Sequence, residues 1–202
     1  NLECVLSNHK NLNYNKVSLS CDPKMLKYIS YLNILSLANN HIYDVGEEGI
    51  KDTIDALKKN NIKYFGFGKN IYEAREPQIG KKSNIKLGFL GYSRMTTNGE
   101  NYATAVKPGV SPITLDYLKK DIVKLNKEVD CVILSLHWGK ENIHFPTPDQ
   151  IMIAHKAVDF GAKIIIGTHP HVIQGIEEYN KGVICYSLGN YLFSDLEYKV
   201  IR

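Results

Sequence analysis

The 202-residue chain has no long apolar run: Ile164-Ile165-Ile166 and Cys131 to Leu136 are short against the ~18 consecutive apolar residues of a membrane span. It has no G-x-S-x-G elbow, no P-loop and no G-x-G-x-x-G followed by an acidic residue, so serine-hydrolase, nucleotide-kinase and dinucleotide readings lack support. Its four cysteines show no C-x-x-C spacing; Cys131 and Cys185 lie in apolar runs, where cysteine is a small buried hydrophobe. A Cys4–Cys21 disulfide is allowed but not favoured, and cysteine usage leaves the compartment open. The formal net charge of +4 rests on scattered lysines with no aromatic-interleaved basic stripe, so no nucleic-acid partner is expected. There is no initiator Met and no basic-then-apolar leader; the chain opens on Asn1-Leu2-Glu3 as if from the middle of a longer protein.

What is present is an ordinary globular composition, 44% apolar and 23% charged, which excludes a disordered chain. A domain of this length buries roughly 70% of its unfolded surface and needs no metal or disulfide to fold. No repeat, low-complexity tract or linker interrupts it, so residues 1–202 read as one domain. Short apolar runs alternate with helical periods. Strands are expected at Leu32–Leu37, Ile62–Phe67, Ile85–Leu90, Val132–Leu136, Lys163–Ile166 and Val183–Ser187. Ile50, Ile54 and Leu57 share one helical face; Thr114 caps a helix with a Leu118/Ile122/Leu125 stripe. Thr147-Pro148-Asp149-Gln150 opens another as a capping box, with Ile151, Ala154 and Val158 inward. The stretch from Ser93 to Pro112 is much longer than the ~4–6 residues usual between elements, which marks it as functional or mobile. Strand, helix, strand in repeated order predicts an α/β fold with a largely parallel sheet.

The polar residues gather where these strands end. Ala38-Asn39-Asn40-His41, His137-Trp138-Gly139-Lys140-Glu141, Gly167-Thr168-His169-Pro170-His171 and Leu188-Gly189-Asn190 each follow a strand, and ligands of open α/β sheets bind beyond the carboxyl ends. Four of the seven histidines stand there: His41, His137, His169 and His171. Pro170 is expected to keep its segment extended, so that His169 and His171 point the same way. Two such imidazoles, with His137, the Asn40 carbonyl and a carboxylate from Glu3 or Glu141, form a mixed N/O set suited to Mn²⁺, Zn²⁺ or Fe. Such a cluster implies metal-activated water, with a nearby histidine donating a proton to the leaving group. His9, His144 and His155 read as structural, and Trp138 as either a stacking platform or a packing residue.

Five motifs occur in one order: Asn1-Leu2-Glu3; Leu37-Ala38-Asn39-Asn40-His41 with Asp44 and Gly46; His137-Trp138-Gly139 with Glu141; His169-Pro170-His171 with Gln174; and Tyr186-Ser187-Leu188-Gly189-Asn190. Over essentially the whole chain this pattern resembles the CapA family of capsule-synthesis proteins, also called PgsA-like poly-γ-glutamate biosynthesis proteins, itself similar to calcineurin-like metallophosphoesterases. The resemblance implies a metallophosphoesterase-like four-layer αββα sandwich around a two-metal site. It implies that Asn40 binds metal, that His41 protonates the leaving group, and that His137 and His169 hold one ion and His171 the other. Glu3 stands where the phosphatases carry a bridging aspartate. Asp44, Glu141, Gln174 and Asn190 are placed as contacts to the ligands or to substrate.

Family members begin with a strand ending in Gly-Asp, whose aspartate binds the metal shared with His171. That strand would precede Asn1, and relatives continue past Arg202. The expectation is therefore a domain truncated at both ends, lacking its first strand, with one complete metal site and an incomplete second. Two functions follow from the resemblance. One is a metal-dependent hydrolase acting on a phosphoester or on the amide bonds of an anionic polymer. The other is a non-catalytic subunit binding nascent poly-γ-glutamate within a membrane-bound synthase. Both imply the extracellular face of the cell membrane.

Overall fold

A computed structural model describes residues 1–9, 18–94 and 101–192. Its strands in chain order are β1 (Val5–Leu6), β2 (Ser20–Cys21), β3 (Ile34–Ser36), β4 (Lys63–Phe65), β5 (Phe67–Gly68), β6 (Gln78–Lys82), β7 (Ile85–Ser93), β8 (Gly109–Val110), β9 (Cys131–His137), β10 (Ile164–Thr168), β11 (Ile176–Tyr179) and β12 (Gly182–Cys185). The helices are α1 (Gly46–Lys59), α2 (Ile71–Ala74), α3 (Leu115–Leu125) and α4 (Pro148–Asp159), and a 3-10 turn spans Pro23–Tyr28. Among the described residues no helix is long and apolar enough to cross a membrane.

The main sheet has six strands in the order β11-β12-β10-β9-β7-β6. Its four central strands are parallel, as the alternation of strand and helix predicts. The two edge strands are antiparallel hairpin partners, β6 to β7 and β11 to β12. Neither carries an apolar run, which is why the sequence did not reveal them. β11 turns back through Asn180 and Lys181, both at positive φ (42° and 68°), the geometry a two-residue hairpin loop demands. Along β9, Val132, Leu134 and Leu136 enter a core with Leu118, Ile122 and Leu125 of α3 and Ala154, Ala157 and Val158 of α4. Ser135 and His137 therefore face away from those helices.

A second layer is built from the short pairs β1-β2, β3-β4 and β5-β8. Leu2, Leu6, Leu35, Leu37, Ile50, Leu57 and Phe67 form its core. The strand expected over Ile62–Phe67 is broken at Gly66, which has φ +84° and where a Cβ would lie 2.7 Å from the Ala38 methyl. After that break the chain leaves β3 and pairs with β8 instead. Residues 95–100 of the long Ser93–Pro112 stretch lie outside the described residues.

Both helix caps form as the sequence predicts. Thr114 Oγ1 accepts from Tyr117 N, and Thr147 and Gln150 close a reciprocal capping box. The inward stripe of α4 differs by one position: Ile151 is 36% exposed while Gln150 is buried. The cause is the Gln150 side chain, which accepts from Thr147 N and donates to Gln174 Oε1, turning that face of the helix inward.

One half-buried polar cluster fastens α3 to the main sheet. Arg75 donates twice to Asp121 (2.8 and 2.6 Å), and the Tyr92 hydroxyl donates to the same carboxylate (2.7 Å). The guanidinium lies 3.8 Å over the Tyr117 ring. Removing one partner of such a pair strands the others in low dielectric. Asp121→Ala is expected to cost about 3–5 kcal/mol in a urea unfolding titration, whereas Tyr92→Phe, which leaves the ion pair intact, should cost about 1 kcal/mol.

Candidate metal centre

Ladder register builds one wall of the site. Ser93 of β7, His137 of β9 and Thr168 of β10 stand level with one another. Arg94 N donates to His137 O and Trp138 N to Thr168 O, carrying the alignment one residue past the strands. His137 is held from both ring nitrogens. Nε2 lies 2.7 Å from Asn40 Oδ1 and Nδ1 lies 3.0 Å from Thr168 Oγ1. Since an amide oxygen only accepts, Nε2 donates here and Nδ1 takes the Thr168 hydroxyl proton.

The His-Pro-His segment is not extended. His169 has φ 96° and His171 φ 60°, so Pro170 sits in a sharp bend. Surrounding hydrogen bonds impose this left-handed geometry: Asn142 N donates to Pro170 O, and Ser187 Oγ to Val172 O. The rings converge through the bend. His137 and His169 centroids are 4.8 Å apart, and those of His169 and His171 6.1 Å.

The opposite wall follows β3. Asn39 is fully buried and stitches two segments together. Its amide nitrogen donates to Leu2 O (2.7 Å) and Asn1 Oδ1 (3.2 Å), while its oxygen accepts from His41 N (3.0 Å). Glu3 is thereby fixed beside Asn40 and His41. Its Oε1 lies 3.6 Å from His137 Nε2 and 3.7 Å from His171 Nε2, beyond hydrogen-bond reach of both. That oxygen and His169 Nδ1 are buried with no hydrogen-bond partner.

The electrostatics follow from burial. Desolvation pushes the Glu3 carboxyl above its usual range, against the pull of His171 and His41. Burial, reinforced by the neighbouring imidazoles, holds His137 well below the ordinary histidine value; His169 is lowered chiefly by burial. Both rings are therefore neutral near pH 7, the form that ligates metal. His41 differs. Burial alone would lower it, but the Asp44 carboxylate, 2.7 Å from Nδ1, outweighs that and raises it. Asp44 Oδ2 also accepts from Leu19 N at 2.7 Å, so its position is set independently of the ring.

The structure thus brings Glu3, Asn40, His41, Asp44, His137, His169 and His171 to one crevice. Two groups have ligand atoms within 4.8 Å of one another: Glu3/His137/His169, and Glu141/His169/His171 with Glu141 exposed. Asn190 Oδ1 lies 2.9 Å from His171 Nδ1. Gln174 is set back: its Nε2 donates to Ile143 O and Phe145 O, bracing the loop that carries Glu141. Trp138 is buried, donates from Nε1 to Tyr186 O and stacks on that ring. Sequence reasoning gave no role to Asn39, to Thr168, or to Asn101, whose Nδ2 donates to Asn40 O. Asn39 was legible as part of its motif; Asn101 had no local signal.

Comparison with known proteins fits this geometry. The family described as bacterial capsule synthesis protein PGA_cap matches residues 1–195. The chain belongs to that family. Among curated PGA_cap relatives, the capsule biosynthesis protein CapA of Bacillus anthracis is 36% identical over 191 residues, covering 90% of this chain and 46% of the relative. The PGA biosynthesis protein CapA of Bacillus subtilis (strain 168) is 34% identical over 182 residues, 88% of this chain and 47% of the relative. The chain spans about half the length of these curated relatives. Among solved structures, a Staphylococcus aureus protein assigned as a 5′-nucleotidase, in complex with α-ketoglutarate, superposes with a TM-score of 0.59 at 13% identity. That match covers 82% of this chain and 34% of the other. The fold of the PGA_cap chain is an α/β metallophosphoesterase-like sandwich.

The His41–Asp44 pair of this PGA_cap chain gives a pH signature. In metal-free protein, Asp44→Asn removes the strongest interaction that raises His41 and leaves burial opposed only by the charges of Glu3 and Glu141, so the ring pKa should fall from its raised value. The pair's stabilisation is complete below the unfolded histidine pKa, ~6.5, and is lost as pH rises through the raised folded value. An NMR titration of the imidazole resonances, run with a denaturation series from pH 5 to 9, reads both effects.

Proposed function

We propose that this chain carries a metal-dependent, phosphoesterase-type hydrolytic site serving capsule or poly-γ-glutamate biosynthesis at the extracellular face of the cell membrane. The observation that carries the reading is Glu3 Oε1, a buried carboxylate oxygen with no hydrogen-bond partner, set between His137 and His171. A carboxylate so placed beside neutral imidazoles and an amide oxygen is a donor set that fits Mn²⁺, Zn²⁺ or Fe. Glu3, Asn40, His137 and His169 would hold the tighter ion. His171 with the exposed Glu141 offers a weaker second position. A divalent ion there would lower the pKa of bound water and polarise the bond under attack.

The protein's own groups supply the rest. Asp44 fixes the His41 ring through Nδ1 and favours its protonated form, so His41 is suited to donate a proton to a leaving group. Thr168 Oγ1 orients His137 through Nδ1 and would accept the Nδ1 proton once Nε2 turned its lone pair to an ion, and Asn190 faces His171. The substrate class is a phosphoester or an amide bond of an anionic polymer. A second reading, a non-catalytic polymer-binding subunit of a membrane-bound synthase, is supported by relatives named for biosynthesis rather than breakdown.

The test adds Mn²⁺ to the intact protein with an aryl phosphate ester and, separately, with poly-γ-glutamate. Cleavage of either is expected, with His169→Ala slowing it by on the order of 10²-fold or more. No cleavage, together with unchanged polymer production in cells carrying His169→Ala, would end the catalytic reading. No cleavage with polymer production lost would favour the binding subunit. Equilibrium dialysis against Mn²⁺ gives an independent readout: His137→Ala is expected to abolish the tight equivalent, and Glu141→Gln to leave it in place.

A further inference from the structure

Away from the histidine cluster, the four cysteines divide into two kinds. Cys131 begins β9 and Cys185 ends β12, with β10 between them. Two strand spacings put them ~9.6 Å apart at least, past the ~7 Å limit for a bridge. Cys4 and Cys21, 17 positions apart, have their sulfurs 3.4 Å from one another. Both are half-buried free thiols. They are brought together by the parallel β1-β2 ribbon, in which Leu6 pairs with Cys21, Val5 N donates to Leu19 O and Ser7 N to Cys21 O. Cys4 immediately precedes β1, and its thiol reaches diagonally across to Cys21, the partner of Leu6.

We propose that Cys4 and Cys21 are a reversible disulfide site that locks the segment bearing Glu3 onto β2. The ribbon joining them has only two residues in each strand, a length that is marginal without further support. A covalent link there acts where the backbone pairing is thinnest. Formation is a two-step exchange with a small-molecule disulfide such as oxidised glutathione. One protein thiolate attacks it, releasing one glutathione thiol and leaving a mixed disulfide. The second protein thiolate then displaces the other glutathione, so the protein dithiol is oxidised and two glutathione thiols are produced. Neither cysteine is fully buried, which leaves an oxidant a path to the pair.

The intact protein, equilibrated with excess oxidised glutathione, alkylated and digested without reductant, should yield a linked Cys4–Cys21 peptide with Cys131 and Cys185 alkylated. Its melting temperature should exceed that of the reduced protein by about 6–12 °C, and dithiothreitol should abolish the difference. Cys4→Ser and Cys21→Ala should each lose the oxidant-dependent shift. Full alkylation of Cys4 and Cys21 after oxidation overturns the proposal. So does a linked protein no more stable than the reduced one, a comparison that needs no variant to fold.

Discussion

The register of three parallel strands is the constraint on which the rest depends. Because β7, β9 and β10 are aligned with Ser93, His137 and Thr168 at one level, the strands stop together and their following residues share one edge. A slip of a single residue in β9 would turn His137 into the helix-covered core and Leu136 toward the crevice. Close packing protects that register. A Cβ at Gly167 would overlap the Tyr186 carbonyl and meet the Trp138 indole nitrogen at 2.7 Å. The Trp138 hydrogen bond to Tyr186 O thus needs a glycine on the intervening strand. Trp138 serves the site by holding the strands beneath it.

Asn39 does for the second layer what the ladder does for the first. Its three hydrogen bonds use both amide protons and one lone pair of the oxygen, and they tie the first residues to the turn holding Asn40 and His41. Leu2 N donating to Ser36 O adds a backbone tie. The two walls then meet through Asn40 Oδ1 and His137 Nε2 at 2.7 Å. Asn1 Nδ2, 3.5 Å from His137 Nδ1, and the Phe65–Phe89 ring contact add further ties between the two layers.

What the sequence made legible follows from where the physics is local. Apolar runs marked the four central strands, most fully β9, whose residues are almost all buried, and Thr114 and Thr147 marked helix starts because a cap acts within three residues. β6 and β11 were hidden because edge strands with one wet face carry Gln, Lys and Glu where periodicity looks for apolar residues. The crevice was readable as histidines at strand ends, since position along a strand survives in the sequence. The bend at His169 and His171 was not. Pro170 favours an extended predecessor, and that preference is overruled by hydrogen bonds from Asn142 and Ser187, 28 and 15 positions from the carbonyls they bind. The backing role of Gln174 was hidden for the same reason: its partners, Gln150, Ile143 and Phe145, lie far from it in sequence.

The charge distribution around Glu3 carries the functional reading further than proximity alone. A buried carboxylate close to three imidazoles has a simple way to lower its energy, which is to share a proton with one of them. The fold closes off that route for its nearest neighbour. His137 is buried too deeply to charge and already gives its Nε2 proton to Asn40 Oδ1, while Glu3 Oε1 stands 3.6 Å away from that nitrogen. His41, the ring whose pKa is raised, is instead directed at Asp44. The proton-holding histidine is thus paired with Asp44, while the neighbouring Glu3 Oε1 is left without a donor in the same crevice. On the proposed hydrolytic reading, that division of partners would suit acid catalysis beside a cation, because the group that must keep a proton is not the group that must bind positive charge.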